Sequence, residues 1–129
     1  MFKVTCFFNA AGPKNQQNSK TIVQFPTLGA MSQPCGYNKD TGVFTVTIEG
    51  LYQLTFHVLP YASGTHVALR IDEQVVCSRY TEQSKRDPVS CSTIQQLRIG
   101  QKVDVLLSQG KIFWAFFNED NIFNGVLLK

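Results

Sequence analysis

Among the side chains that could do chemistry, the cysteines, at positions 6, 35, 77 and 91, and the two histidines, at 57 and 66, have the most telling spacing. The cysteine gaps of 29, 42 and 14 residues contain no C-x-x-C and no zinc or redox spacing. They therefore read either as buried thiols or as disulfides of a small domain in an oxidising compartment. His57 falls on the strand face opposite Phe56 and Val58, which points to a structural or interface role. His66 falls at a loop-to-strand junction, where it is expected to be solvated. No G-x-S-x-G, H-E-x-x-H, G-x-G-x-x-G or P-loop occurs. Gly110-Lys111 is followed by Ile112, so the hydroxyl that would hold magnesium is missing. Catalysis is not expected. Asn38 to Glu49 partly imitates a calcium-binding EF-hand loop, but its glycine, Gly42, comes one position early. Residues 44 to 48 alternate as a strand, which cannot wrap an ion. The stretch 38 to 42 reads instead as a turn, with Asp40 and Gly42 supplying the turn chemistry.

The elements around these residues are strands. Phe44, Val46 and Ile48 alternate with Thr45 and Thr47, and Tyr52, Leu54, Phe56 and Val58 alternate with Gln53, Thr55 and His57. Val67, Leu69 and Ile71 mark a further strand, as do residues 75 to 80, 90 to 99, the Val103, Val105 and Leu107 set, and 122 to 128. Residues 4 to 8 and 21 to 25 read as shorter ones. Residues 11 to 20, 29 to 37 and 81 to 88 read as loops. No window combines 3.6-residue periodicity with a cap, so no helix is expected. Many short strands separated by turns mean an all-β sandwich or barrel.

The composition agrees. The chain has 129 residues, which is one domain. Charged residues are 16% and apolar residues 43%, with ten Phe, the reverse of a disordered chain. The net charge of +3 is mild and scattered, and no basic stripe marks a nucleic-acid partner. No apolar run is long enough to span a membrane. Met1 leads straight into Phe2-Lys3-Val4-Thr5, so a signal peptide is not expected in this stretch. No N-x-S/T sequon occurs.

Gly36-Tyr37-Asn38, Thr41-Gly42-Val43-Phe44-Thr45, Gly50-Leu51-Tyr52 and Phe56-His57-Val58 form a long ordered pattern. It resembles the globular head of the complement C1q family. Leu97 to Val103 resembles that family's L-x-x-G-D-x-V, with Gln101 at the usual acidic position. Phe123 to Leu128 resembles its closing F-S-G-F-L-L. The likeness extends over residues 1–129 as a single C1q-like domain and is weakest before residue 36. The collagen-like stalk common in the family is absent from this sequence. The resemblance implies a ten-stranded jelly-roll sandwich shared with tumour necrosis factor, a homotrimer or related heterotrimer, secretion, no active site, and calcium near the trimer apex in many members. Its expected trade is recognition of glycans or other anionic ligands on microbial or cell surfaces in innate immunity, as a lectin would. The alternative is a cytokine-like or synaptic-organiser ligand for a protein receptor.

Three further expectations come from the residues. Ile112 to Phe117 is apolar on both strand faces, so it is either a two-sided core strand or part of a subunit interface on the trimer axis. Cys77 and Cys91 flank one loop at neighbouring strand ends and are expected to pair. Cys6 and Cys35 are then left to each other, to solvent or to another chain. Counting strand directions back from the C-terminus puts the loops 11–20, 60–66, 81–88 and 109–121 at one end. The turns near Gly50, Glu73 and Gly100 fall at the other. Arg79, Tyr80, Lys85 and Arg86 at the loop end are the candidate anionic-ligand surface. Glu119 and Asp120 are the candidate calcium ligands.

Overall fold

A computed structural model describes residues 5–12, 20–32, 35–60, 63–82, 88–112 and 121–129. Eleven strands run in the order β1 (Phe7–Ala11), β2 (Thr21–Ile22), β3 (Thr27–Met31), β4 (Tyr37–Asn38), β5 (Val43–Thr45), β6 (Gly50–Val58), β7 (Thr65–Ile71), β8 (Gln74–Thr81), β9 (Val89–Leu97), β10 (Lys102–Gln109) and β11 (Ile122–Leu127). No helix occurs among the described residues. Ten strands form two antiparallel layers, β3-β1-β11-β6-β9 and β4-β5-β10-β7-β8. The two-residue β2 adds to β10 in the second layer. This is the expected jelly-roll sandwich, with β2 as an eleventh element.

The layers meet where alternation put the large apolar side chains. Tyr52, Leu54, Phe56 and Val58 on β6, and Val103, Val105 and Leu107 on β10, are all fully buried. Phe8 of the first layer stacks on Tyr37 of the second, with ring centroids 4.8 Å apart, and meets Phe123 edge-on at 5.0 Å. The Tyr37 hydroxyl, deep in this cluster, donates to the Phe25 carbonyl at 2.8 Å. Burial pushes that phenol well above its ordinary pKa.

Both disulfides tie one layer to the other. Cys77 on β8 bonds Cys91 on β9, as expected, and Cys6 before β1 bonds Cys35 before β4. Their Cα separations of 6.2 and 5.1 Å lie in the ordinary disulfide range. Strands β8 and β9 are the edges on one flank of the sandwich, and β4 is an edge on the other. The sandwich is thus fastened along both sides.

Several strands differ from the sequence reading: the one expected over 21 to 25 pairs only at Thr21–Ile22, and β4 forms at Tyr37–Asn38, where a loop and a turn were expected. The first runs Phe7–Ala11 rather than 4 to 8, because the whole segment pairs with β11 and turns Phe8 and Ala10 inward. The strand expected over 41 to 48 keeps its alternation but pairs regularly only at Val43–Thr45. Beyond it, the Val46 N–H reaches across to the Gln101 carbonyl at 2.9 Å. Residues 27 to 31, of which 29 to 31 lie inside a segment read as a loop, form the edge strand β3 on β1, with a bulge between Asn9 and Ala10.

Candidate functional site

The register puts the long loops together. Ala11 lies opposite Ile122, Ile122 opposite His57, and His57 opposite Ser90. In the second layer Thr65 lies opposite Thr81 and His66 opposite Gln109. The chain therefore leaves β1, β6, β8 and β10 at one end of the sandwich, and the short turns sit at the other, as the strand count required.

The stems of these loops are wired to one another. Asn121 is fully buried. Its side-chain Oδ1 accepts the Leu59 N–H at 2.8 Å and its carbonyl accepts the Gly12 N–H at 3.1 Å. Thr65 Oγ1 donates to the Lys111 carbonyl at 3.1 Å and accepts the Lys111 N–H at 3.2 Å. Gly110 sits at φ +78°, and a Cβ there would collide with Thr65. Buried Ile112 bridges to Pro60. The remainder of the aromatic segment, 113 to 117, lies outside the described residues.

Of the expected ligand residues, Arg79 and Tyr80 lie at the loop end of the edge strand β8. Consecutive strand residues point to opposite faces. Arg79 is level with inward-facing Val67, and its Nη1 donates to the Ser78 carbonyl at 2.8 Å. Tyr80 is level with His66 on the outer face and is 55% exposed. One ligand touches both only by reaching around the strand edge. Lys85, Arg86, Glu119 and Asp120 lie outside the described residues. Among the described residues no group of three or more His, Cys, Asp or Glu is placed to hold a metal ion.

His66 departs from the solvated reading. It is half-buried, its Nδ1 contacts Ser108 Oγ, and Ser108 Oγ donates back to the His66 carbonyl at 3.2 Å. A bulge between Leu107 and Gln109 brings Ser108 there. No carboxylate is hydrogen-bonded to the ring among the described residues.

The two outer faces differ in charge. The five strands of the β3-β1-β11-β6-β9 layer contain no Asp, Glu, Lys or Arg. Their outer surface carries a row of Asn9, Asn124, Thr55 and Ser92. The row below it is Phe7, Val126, Gln53 and Ile94, with Ile94 56% exposed. The other outer face is charged. Arg70 on β7 grips Asp104 on β10 through two bonds, Nε to Oδ1 at 2.7 Å and Nη2 to Oδ2 at 3.0 Å. The hydrogen bond to Asp104 holds the guanidinium pKa above its ordinary value. Sequence reasoning missed this pair. Its only signal was Arg70 outward on one apolar strand and Lys102 and Asp104 outward on another, and only the register makes Arg70 and Asp104 partners.

The whole chain can be compared with known proteins on this footing. A profile of the C1q domain matches residues 7–128. The chain belongs to the C1q domain family. Within it, the mouse protein named complement C1q and tumor necrosis factor-related protein 9 is 29% identical over 96 residues, which are 71% of this chain and 29% of that protein. The human protein of the same name with suffix 9B is 28% identical over the same span. The chain thus spans less than a third of the length of these relatives. Among solved structures, the globular domain of zebrafish complement 1qA protein superposes with a TM-score of 0.77 at 19% identity, covering 98% of each chain. Murine APRIL at pH 5.0 superposes with a TM-score of 0.74 at 15% identity, covering 97% of this chain and all of that one. Rabbit GITRL gives 0.66 at 12%, covering 96% of this chain and 94% of its own. At such identities these likenesses bear on the fold, and they agree with the jelly roll. The resemblance in residues 36 to 58 is borne out.

Proposed function

We propose that this C1q domain is a secreted recognition module, a homotrimer that binds glycans or other anionic ligands on microbial or cell surfaces at its loop end and performs no chemistry. The supporting observation is the charge-free outer face of the β3-β1-β11-β6-β9 layer. Subunit interfaces are depleted of charge at their centres. A chain that leaves Phe7, Val126 and Ile94 uncovered there, with Arg70, Lys102 and Asp104 on the opposite face, has one face suited to a second copy. Burying that face in a trimer leaves the loops of three chains side by side at one apex. Three weak sites then bind with an avidity no single site has. Arg79 and Tyr80 belong to this surface, with Lys85 and Arg86 as its further cations and calcium held at Glu119 and Asp120.

The experiment is an array of glycans and microbial polysaccharides probed with folded protein in calcium and in a chelator. Selective binding is expected, and its loss in chelator places calcium in the mechanism. A blank array in both buffers overturns the glycan reading. It favours the second reading, a cytokine-like ligand for a protein receptor. The sequence relatives named C1q and tumor necrosis factor-related proteins support that second reading. It requires contacts along the grooves between subunits, with aromatic anchors, in place of small polar sites on the loops.

A further inference from the structure

The charged outer face holds an open depression of about 400 Å³ at the end away from the long loops. That volume falls within the range of small-molecule sites. The Arg70–Asp104 pair lines it, with side chains only 16% and 8% exposed. Half-buried Ile22 and Val43 supply apolar surface, and Asp72, Glu73 and Lys102 supply exposed charge.

The charges are not all spent on one another. A guanidinium has five N–H donors. Asp104 takes two of those on Arg70, and no other acceptor for Arg70 occurs among the described residues. Asp72 is engaged at both carboxylate oxygens: its Oδ1 accepts the Lys102 N–H at 3.0 Å, its Oδ2 accepts Gln101 Nε2 at 3.1 Å, and its own N–H donates to the Lys102 carbonyl at 2.8 Å. Glu73 is different. It occupies the second position of a two-residue hairpin, at φ +68°, where glycine is the favoured residue. Its carboxylate takes part in no hydrogen bond among the described residues, and its negative charge acts on Arg70. The hollow therefore presents unused cationic donors, one uncommitted carboxylate and an apolar surface.

We propose that this depression binds a small zwitterion of the α-amino-acid type. The ligand carboxylate takes the free N–H groups of Arg70 and the Lys102 ammonium, its ammonium takes Glu73, and its apolar side chain lies against Ile22 and Val43. A ligand with one charge leaves either the cations or Glu73 unanswered. The site lies away from the loop end and does not depend on what binds there.

The test uses isotope-labelled protein and amide chemical shifts, with three probes of one shape. L-Leucine carries both charges, 3-methylbutylamine only the cation and 4-methylpentanoate only the anion. Leucine is expected to shift the Arg70, Glu73 and Val43 amides saturably and to bind about fivefold or more tightly than either analogue, the scale of one exposed ion pair. Glu73→Gly and Glu73→Gln are both expected to lose that advantage, while Glu73→Gly, which installs the residue the turn prefers, melts no lower than the parent. Equal binding of the three probes, no saturable shift with any of them, or unchanged leucine affinity in both variants overturns the proposal.

Discussion

Asn121 Oδ1 lies 2.8 Å from the Leu59 nitrogen, across 62 residues of sequence, and this bond joins the stem of one long loop to the stem of another. The acceptor is fully buried, and its loss leaves the half-buried Leu59 N–H without this partner. Asn121→Ala is expected to cost about 1–3 kcal/mol in urea unfolding. The same variant is expected to weaken any binding at the loop end more than Val75→Ala, which alters exposed β8 near the short-turn end. Unfolding indistinguishable from the parent contradicts this assignment.

The charge-free face makes its own prediction. In sedimentation equilibrium the protein is expected to run as a trimer at micromolar concentration, and Ile94→Lys or Val126→Lys to run as a monomer with an unchanged far-ultraviolet spectrum. Both side chains already point outward, so a lysine there is solvated in the separate chain and buried unpaired only in the assembly. A monomeric parent, or trimeric lysine variants, removes the face as an interface.

The Cys77–Cys91 bond closes a short loop between two edge strands. The chain-entropy model gives about 3 kcal/mol for a loop of this length. The Cys77→Ser, Cys91→Ser double variant is expected to lose stability on that scale in denaturant while remaining folded, because the second staple stays. Peptide mapping without reduction is expected to link 77 to 91 and 6 to 35.

Asp72 sets an acid-side prediction. The Lys102 N–H and then the Gln101 amide bind its charged form and hold its pKa below the ordinary carboxylate value. The folded state therefore binds this proton more weakly than the unfolded one. The stabilisation is complete above the unfolded carboxylate pKa, near 4, and disappears as the pH falls through the lower folded value. Asp72→Asn is expected to be less stable at pH 6 and to show a smaller fall in melting temperature between pH 5 and pH 2. Parallel curves for the two proteins contradict it.

Much of this architecture was legible because β6, β7 and β10 bury one face against the other layer and leave the other face outside, so their sequences alternate. The loop end was legible for the same reason: once the strands are known, their antiparallel order assigns the ends. β3 was not legible. It is an edge strand with Gly29 and Ala30 exposed, and nothing in its side chains reports the main-chain pairing that makes it a strand. Cys6–Cys35 stayed open because its partners flank elements of different layers, and sequence does not say which edges coincide. The Arg70–Asp104 pair and the hollow beside it depend on register between β7 and β10, which no local pattern encodes. Of the proposed ligand residues, the sequence placed Arg79 and Tyr80 correctly at the loop end, but strand alternation turns them to opposite faces.

β11 is the last strand in the sequence, and it lies in the middle of its sheet, between β1 and β6. As a ribosome delivers the chain, β1 and β6 emerge early and have no direct neighbour in each other; each must wait for residues 122 to 127. Until these arrive, β3 and β1 form one fragment and β6 and β9 another, each with an open edge facing the gap. The final strand acts as a keystone, and a nascent chain halted just short of it is a pair of sticky half-sheets that a chaperone or a protease will meet first.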